Sequence, residues 1–379
     1  MSRTAIGGAG IVLPDGLRND AWLVVEDGLI SAIADHAPDD ADRLELDGGF
    51  LCPGFIDTQV NGGGGVLFND DPSVETVAAI AGAHRRFGTT GLLPTLISDN
   101  AETIARAIDA VDEAIRAGVP GVLGIHVEGP FLNTQRRGIH VERFIRTPTD
   151  TEIELLCRPS PGIRLVTLAP ECVPPGTISK LRAAGIVVAA GHSAAGYEAT
   201  RHALDREGLD GFTHLFNAMT PFGSREPGMV GAALEDRRSR FGLIVDGHHV
   251  HPASLRVALA ARGIDGAMLV TDAMPPAGTD QTSFTLQGQP ITVEGGSLRG
   301  ADGTLAGSAL TMDLAVRNAM KMLHLSLDEA CRLAASNPAA FLRMERTRGA
   351  IAPGFTADLV HLDPDLHVRD VWIAGRRFD

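Results

Sequence analysis

The sequence predicts an α/β protein, a (β/α)8 TIM-like barrel with a small β-sandwich domain formed from both chain termini. Three observations carry this expectation. Eight short apolar runs lie along the middle of the chain, each followed by a turn and most by a stretch of helical periodicity. Residues 1–53 and 350–379 read instead as short strands without a helical period, and neither piece can enclose a core alone. The length of 379 residues with 44% hydrophobic content suits one large barrel with a small appendage. The barrel is therefore expected over residues 54–349 and the sandwich over 1–53 plus 350–379.

Taken in order, the N-terminal segment holds "AWLVVEDGLISAIA", two strand-like runs around Asp27-Gly28, a dipeptide suited to a tight hairpin turn. From Gly54 the candidate barrel strands are "GFIDTQ", "TGLLPTL", "VLGIHV", "IRLVTL", "GIVVAA", "DGFTH", "GLIVD" and "AMLVTD". Between them come amphipathic stretches such as "VETVAAIAGAHRRFG" and "ETIARAIDAVDEAIRAG". The sixth run is short. The eighth unit is interrupted by "FTLQGQPITVEGGSLRGADGT", which reads as an inserted hairpin. The tail "PGFTADLVHLDPDLHVRDVWIAGRRFD" returns to strands and completes the N-terminal module.

Composition narrows the function. A net charge of −14 argues against nucleic acid and against an anionic membrane surface, since both need a basic face. With 44 glycines and 4% aromatics the chain has the balance of an α/β enzyme with many tight turns. Cys52, Cys157, Cys172 and Cys331 form no C-x-x-C pair, which indicates reduced thiols rather than a thiolate metal site or a disulfide framework. No apolar run resembles a signal peptide or a membrane span, so a soluble cytoplasmic protein is expected.

The chemistry is read from where polar residues fall relative to the strands. Glu128 closes the third run, His192 follows the fifth, His214 ends the sixth and Asp272 ends the eighth. Taken singly, each has a plain structural reading: a hydrogen-bonded histidine, a solvated turn carboxylate, a turn cap. Taken together they share C-terminal strand ends, which converge on one mouth in a barrel, and Glu-His-His with a nearby carboxylate is a catalytic metal pattern. A metal-dependent amide hydrolase would be expected to carry two histidines one residue apart on its first strand, and here those positions are Gln59 and Asn61. His126 shares a strand face with Glu128 and reads as inner packing more than as a partner of the site. "DGHHVHP" brings His248, His249 and His251 to the same mouth, and spacing does not choose among them.

The motifs "PGFIDTQVNG", "HVEGPFLN", "GHS", "THLFNAM", "REPG", "DGHHVHP" and "VTDAM", in this order along nearly the whole chain, closely resemble those of the N-acetylglucosamine-6-phosphate deacetylases of the amidohydrolase superfamily. The resemblance implies hydrolysis of the acetamide of N-acetyl-D-glucosamine 6-phosphate to glucosamine 6-phosphate and acetate. It implies one divalent metal ion per subunit, zinc first with iron or another ion as alternatives, held by Glu128, His192 and His214. Gln59 and Asn61 are neutral and poor ligands for a second ion. Asp272 is implied as general base and acid, and His140, Asn217, Ala218, Arg225 and His249 as substrate contacts. Arg225 is implied to reach the neighbouring active site of a homodimer, although spacing alone reads it as a solvated loop arginine. The alternatives are deacetylation of the galactosamine epimer, which differs at one hydroxyl that no motif reads, and a non-catalytic scaffold, which predicts loss of the metal and base residues.

Overall fold

The computed structural model describes residues 3–378. Its centre is an eight-stranded parallel sheet whose strands neighbour one another in chain order. These are β1 Phe55–Val60, β2 Thr89–Ile97, β3 Gly124–Glu128, β4 Ile163–Leu168, β5 Val187–Ala190, β6 Gly211–Phe212, β7 Arg240–Leu243 and β8 Ala267–Leu269. Every apolar run read as a barrel strand forms one. The short sixth run yields only two residues of ladder.

β1 and β8 share no ladder, so the barrel closes beyond their ends. Asp272 N–H donates to the Gln59 carbonyl at 3.0 Å, and the Asn61 and Gly62 N–H groups donate to the Ala273 carbonyl at 2.8 and 2.9 Å. The buried Asp57 carboxylate ties the same seam, accepting from Thr271 Oγ1 at 2.5 Å and from the Gln59 N–H at 3.2 Å. Burial pushes the Asp57 carboxyl up to about 7, against these hydrogen bonds. The residues at the seam are those that lead into the candidate site.

The helices follow their periodicity. In Ala101–Arg116 the apolar residues Ile104, Ala107, Ile108, Val111 and Ala114 recur at helical spacing and are all buried, and the Asn100 side chain caps the first turn by accepting from the Thr103 N–H at 2.9 Å. Val74–Arg85 begins in the same way, capped by Ser73.

The interruption after β8 is larger than a hairpin. It forms an antiparallel meander of four strands, Ser283–Leu286, Gln289–Glu294, Ser297–Gly300 and Leu305–Ser308. Its turns fall at Gln287-Gly288, Gly295-Gly296 and Asp302-Gly303, so the segment carries three turn signals where a hairpin needs one. Leu286, Ile291, Leu298 and Ala306 of the meander pack against Leu67, Ile97, Ile139 and Met274 of the barrel, which fastens it beside the mouth.

Both termini contribute to the small sandwich. One sheet runs Leu29–Ala34, Trp22–Glu26, Arg3–Gly7 and Asp42–Glu45, and its hairpin turns at Asp27 and Gly28, both with positive φ (50° and 80°), as the dipeptide indicated. The other sheet joins the chain ends directly: Leu359 pairs with Pro53, Val360 with Cys52 and His361 with Leu51. Ile6, Leu23 and Ile30 from the first sheet meet Ile11, Leu51, Leu359 and Trp372 from the second in one core. Val12, Cys52, Val360 and Ile373 are buried against the barrel. All four cysteines are free thiols. No helix among the described residues is long and apolar enough to cross a membrane.

Candidate active site

Glu128 is the last residue of β3, while His192, His214 and Asp272 lie just past the ends of β5, β6 and β8. The backbone at these last three is left-handed, with φ of 49°, 35° and 51°, and Ala218 in the next loop has φ 51°. Such conformations cost non-glycine residues roughly 1–3 kcal/mol each and persist where surrounding structure enforces them. Here they turn side chains out of the strand direction and into the barrel mouth.

Three ligand-type atoms meet there. His214 Nε2 is 3.1 Å from Glu128 Oε1, His192 Nε2 is 3.3 Å from the same oxygen, and the two Nε2 atoms are 3.0 Å apart. His192 Nδ1 lies 2.9 Å from the Arg136 carbonyl and must donate to it, so its Nε2 presents a lone pair. That lone pair faces a second imidazole nitrogen and a carboxylate, an arrangement that calls for a cation between them. Atoms bound roughly 2.0–2.2 Å from a tetrahedral ion stand about 3.4 Å from one another, close to the spacing here. The donor set therefore fits a divalent metal.

A wider grouping brings His140 within 4.8 Å of Glu128 and His192. His140 is nevertheless committed elsewhere. Its Nδ1 accepts from the Ser98 N–H at 3.3 Å and lies 2.7 Å from Ser98 Oγ, so the ring proton sits on Nε2, which is then a donor rather than a ligand. Burial, reinforced by His192, pushes the His140 imidazole down to about 3 and keeps it neutral.

Gln59 and Asn61 bind the carboxylates. Gln59 Nε2 donates to both Glu128 oxygens at 3.1 and 3.2 Å and to Asp272 Oδ1 at 3.2 Å, and Asn61 Nδ2 donates to the same Oδ1 at 2.7 Å. Burial alone would raise the Glu128 carboxyl, but the neighbouring His192 and His214 imidazoles outweigh it and hold the group well below the usual carboxylate range. Asp272 is pushed up to about 6, first by burial and then by the negative charge of Glu128. His126 lies deeper in the barrel, with Nε2 2.7 Å from Thr167 Oγ1 and Nδ1 3.4 Å from Thr95 Oγ1, in a polar layer under the site.

These groups open onto a cavity of about 330 Å³, lined among others by His140, Asn217, Ala218 and His249. His249 is held by Asp246, whose Oδ2 is 2.6 Å from its Nδ1. Of the three histidines in "DGHHVHP" it alone lines this cavity. His251 instead caps the helix Pro252–Arg262, accepting from the Ala253 N–H at 3.2 Å. Asn217 turns its amide back to the His214 carbonyl at 3.1 Å. Arg225 is exposed on the loop that follows and does not line its own chain's cavity. Ser98, Arg136, Met274, Thr304 and Leu305 also shape the site and were not singled out from sequence. Ser98 follows the end of β2 and was open to the same strand-end reasoning. Thr304 and Leu305 reach the wall only because the meander folds back over the mouth.

Fold and site together define a β/α-barrel hydrolase whose strand ends converge a carboxylate, two imidazoles and a second carboxylate. The amidohydrolase family model matches residues 50–378. N-acetylgalactosamine-6-phosphate deacetylase of Shewanella sp. (strain ANA-3) is 46% identical over 97% of this chain and 94% of its own length. Human N-acetylglucosamine-6-phosphate deacetylase is 38% identical over 88% of this chain and 84% of its own. Among solved structures, N-acetylglucosamine-6-phosphate deacetylase from Pasteurella multocida superposes with a TM-score of 0.95 at 34% identity, covering 99% of both chains. A mutant of the Mycobacterium smegmatis N-acetyl-D-glucosamine-6-phosphate deacetylase, in complex with N-acetyl-D-glucosamine-6-phosphate, gives 0.91 at 36% identity, covering 100% of this chain and 99% of that one. The chain belongs to the amidohydrolase family and, within it, to the hexosamine-6-phosphate deacetylase branch that these relatives represent.

Proposed function

We propose that the protein hydrolyses the acetamide of N-acetyl-D-glucosamine 6-phosphate, releasing acetate and the amino sugar phosphate. The observation that carries this reading is the convergence of Glu128, His192 and His214 within 3.3 Å of one another, beside Asp272, in a cavity that also holds His140 and His249. Glu128, His192 and His214 would hold one divalent ion, zinc ahead of iron, which when bound supplies Lewis acidity to the acetyl carbonyl and to the attacking water.

The chain's own residues do the rest. Gln59 and Asn61 both donate to Asp272 Oδ1, which leaves Oδ2 to take a proton from the attacking water and return it to the departing nitrogen. Neutral His140 offers its Nε2–H to the acetyl oxygen or a sugar hydroxyl, and His249 offers the ring edge that Asp246 leaves free to the phosphate, next to Asn217 and Ala218.

A second reading takes the galactosamine epimer as substrate, and the 46% identity to a relative named for that epimer favours it. Acetate release measured on the two 6-phosphate epimers tests both. A higher kcat/KM on the gluco epimer is the expected result, a higher value on the galacto epimer moves the assignment to the second reading, and turnover of neither overturns both.

We further infer a homodimer in which Arg225 reaches the partner's phosphate site. Its exposure outside its own cavity, beside the 66% exposed Phe222, supports this, as does the need of an acidic chain for a cation facing the phosphate. Arg225→Ala is expected to weaken use of the phosphorylated substrate by about 10- to 150-fold. Co-expressed with Asp272→Asn chains, it should regain activity, because a mixed dimer then has one site with both native groups. Activity that stays low in the mixture refutes the shared site.

A further inference from the structure

Far from the mouth, at the N-terminal ends of β5, β6 and β7, four arginines surround a cavity of about 270 Å³. Arg182 lies in the last turn of the helix Thr177–Ala183 that precedes β5, Arg240 opens β7 with Arg238 two residues earlier, and Arg343 follows the helix Asn337–Phe341. Asp210 and Asp236 are the acidic residues of the lining, and Leu204, Leu209 and Phe341 supply its apolar part. The lining thus keeps a surplus of positive charge in a chain whose net charge is −14.

The two aspartates are already committed. Asp210 accepts from Arg182 at 3.0 and 3.1 Å, from Arg343 at 3.3 and 3.4 Å, and from the Val188 N–H at 3.0 Å. Asp236 accepts from the Ser239 N–H at 2.7 Å and from Arg238 at 3.0 Å. Nearby Asp205 is shared by Arg238 and Arg201 at 2.5 and 2.9 Å. Arg240 is left over. Among the described residues its guanidinium has no ion pair, and its buried Nε has no hydrogen-bond partner. A partly enclosed guanidinium with its planar fork unmatched is suited to a small oxyanion, and neighbouring arginines held in place by Asp210 provide a preorganised wall for one.

We infer that this cavity at the N-terminal ends of the barrel strands is a second anion site, separate from the catalytic mouth. It takes a phosphate group, either orthophosphate or the end of a small phosphomonoester, with Arg240 as the central contact and Arg343 on the flank. The site does not depend on the reaction assigned to the mouth.

The test is a calorimetric titration of the full-length protein at fixed ionic strength, with inorganic phosphate in one arm and glycerol phosphate in the other. The wild type should bind one equivalent more than Arg240→Gln, or bind it about tenfold more tightly, as loss of a charge-assisted contact predicts. Deacetylation kcat and KM should be unchanged in that variant, since Arg240 is remote from the mouth. Extra binding in the phosphate arm alone assigns orthophosphate, and in both arms a phosphate group on either carrier. Identical isotherms for wild type and variant in both arms overturn the proposal. Should Arg240→Gln fail to fold, Arg343→Gln is read in the same way, with weakened binding supporting the site and an unchanged isotherm overturning it.

Discussion

Replacing Asp272 by asparagine is expected to lower turnover by about 10²-fold or more while bound metal and substrate affinity stay near those of the wild type. The substitution is nearly isosteric. The new amide oxygen can still accept from Gln59 Nε2 and Asn61 Nδ2, which now hold Oδ1 at 3.2 and 2.7 Å, so the side chain keeps its orientation. What disappears is Oδ2, the atom those two amides leave free, and with it the capacity to take a proton from water and deliver it to a nitrogen that leaves poorly as an anion. Steady-state kinetics with parallel metal analysis makes the check. Near-normal turnover would sink the role and direct attention to His249, the one histidine of "DGHHVHP" that lines the cavity.

The wild type is expected to hold about one tightly bound divalent ion per chain, and Glu128→Gln is expected to lose most of it. A neutral amide oxygen is a far weaker ligand than a carboxylate. The local hydrogen bonds make the change worse. Gln59 Nε2 spans both Glu128 oxygens at 3.1 and 3.2 Å, and with glutamine at 128 one of those contacts becomes amide NH2 against amide NH2. The remaining donors, His192 and His214, would then face each other at 3.0 Å without the negative charge that draws a cation between them. Elemental analysis of the wild type and the variant is the measurement. Two tightly bound equivalents in the active wild type, or full metal retention in Glu128→Gln, would refute the single-ion site built on Glu128.

Much of this architecture was legible in the amino-acid order. Short apolar runs separated by stretches of helical period specify β/α units, and Asp27-Gly28 forms the turn that its chemistry favours, because these signals depend on neighbours within one element. Placing Glu128, His192, His214 and Asp272 at one mouth needed only the rule that parallel strand ends share a face. The meander after β8 was under-read although its three turns stand in the sequence; what the sequence hides is its packing on Ile97 and Ile139, which are remote in the chain.

Folding alone decided the finer matters. Left-handed backbone at His192, His214 and Asp272 is invisible to propensity, since those residues would not choose it in isolation. Gln59 and Asn61 could be recognised in sequence as poor ligands, but not as the donors that orient Asp272 and bridge it to Glu128. The choice of His249 over His248 and His251 follows from which ring the fold sets on the cavity wall, and the proton on His140 Nε2 from the Ser98 N–H, a partner that only the folded chain brings within hydrogen-bond reach. Residue type sets what a side chain is able to do, whereas tautomer, orientation and charge are set by whichever groups the tertiary structure places against it, in an interior where water is not there to substitute for them.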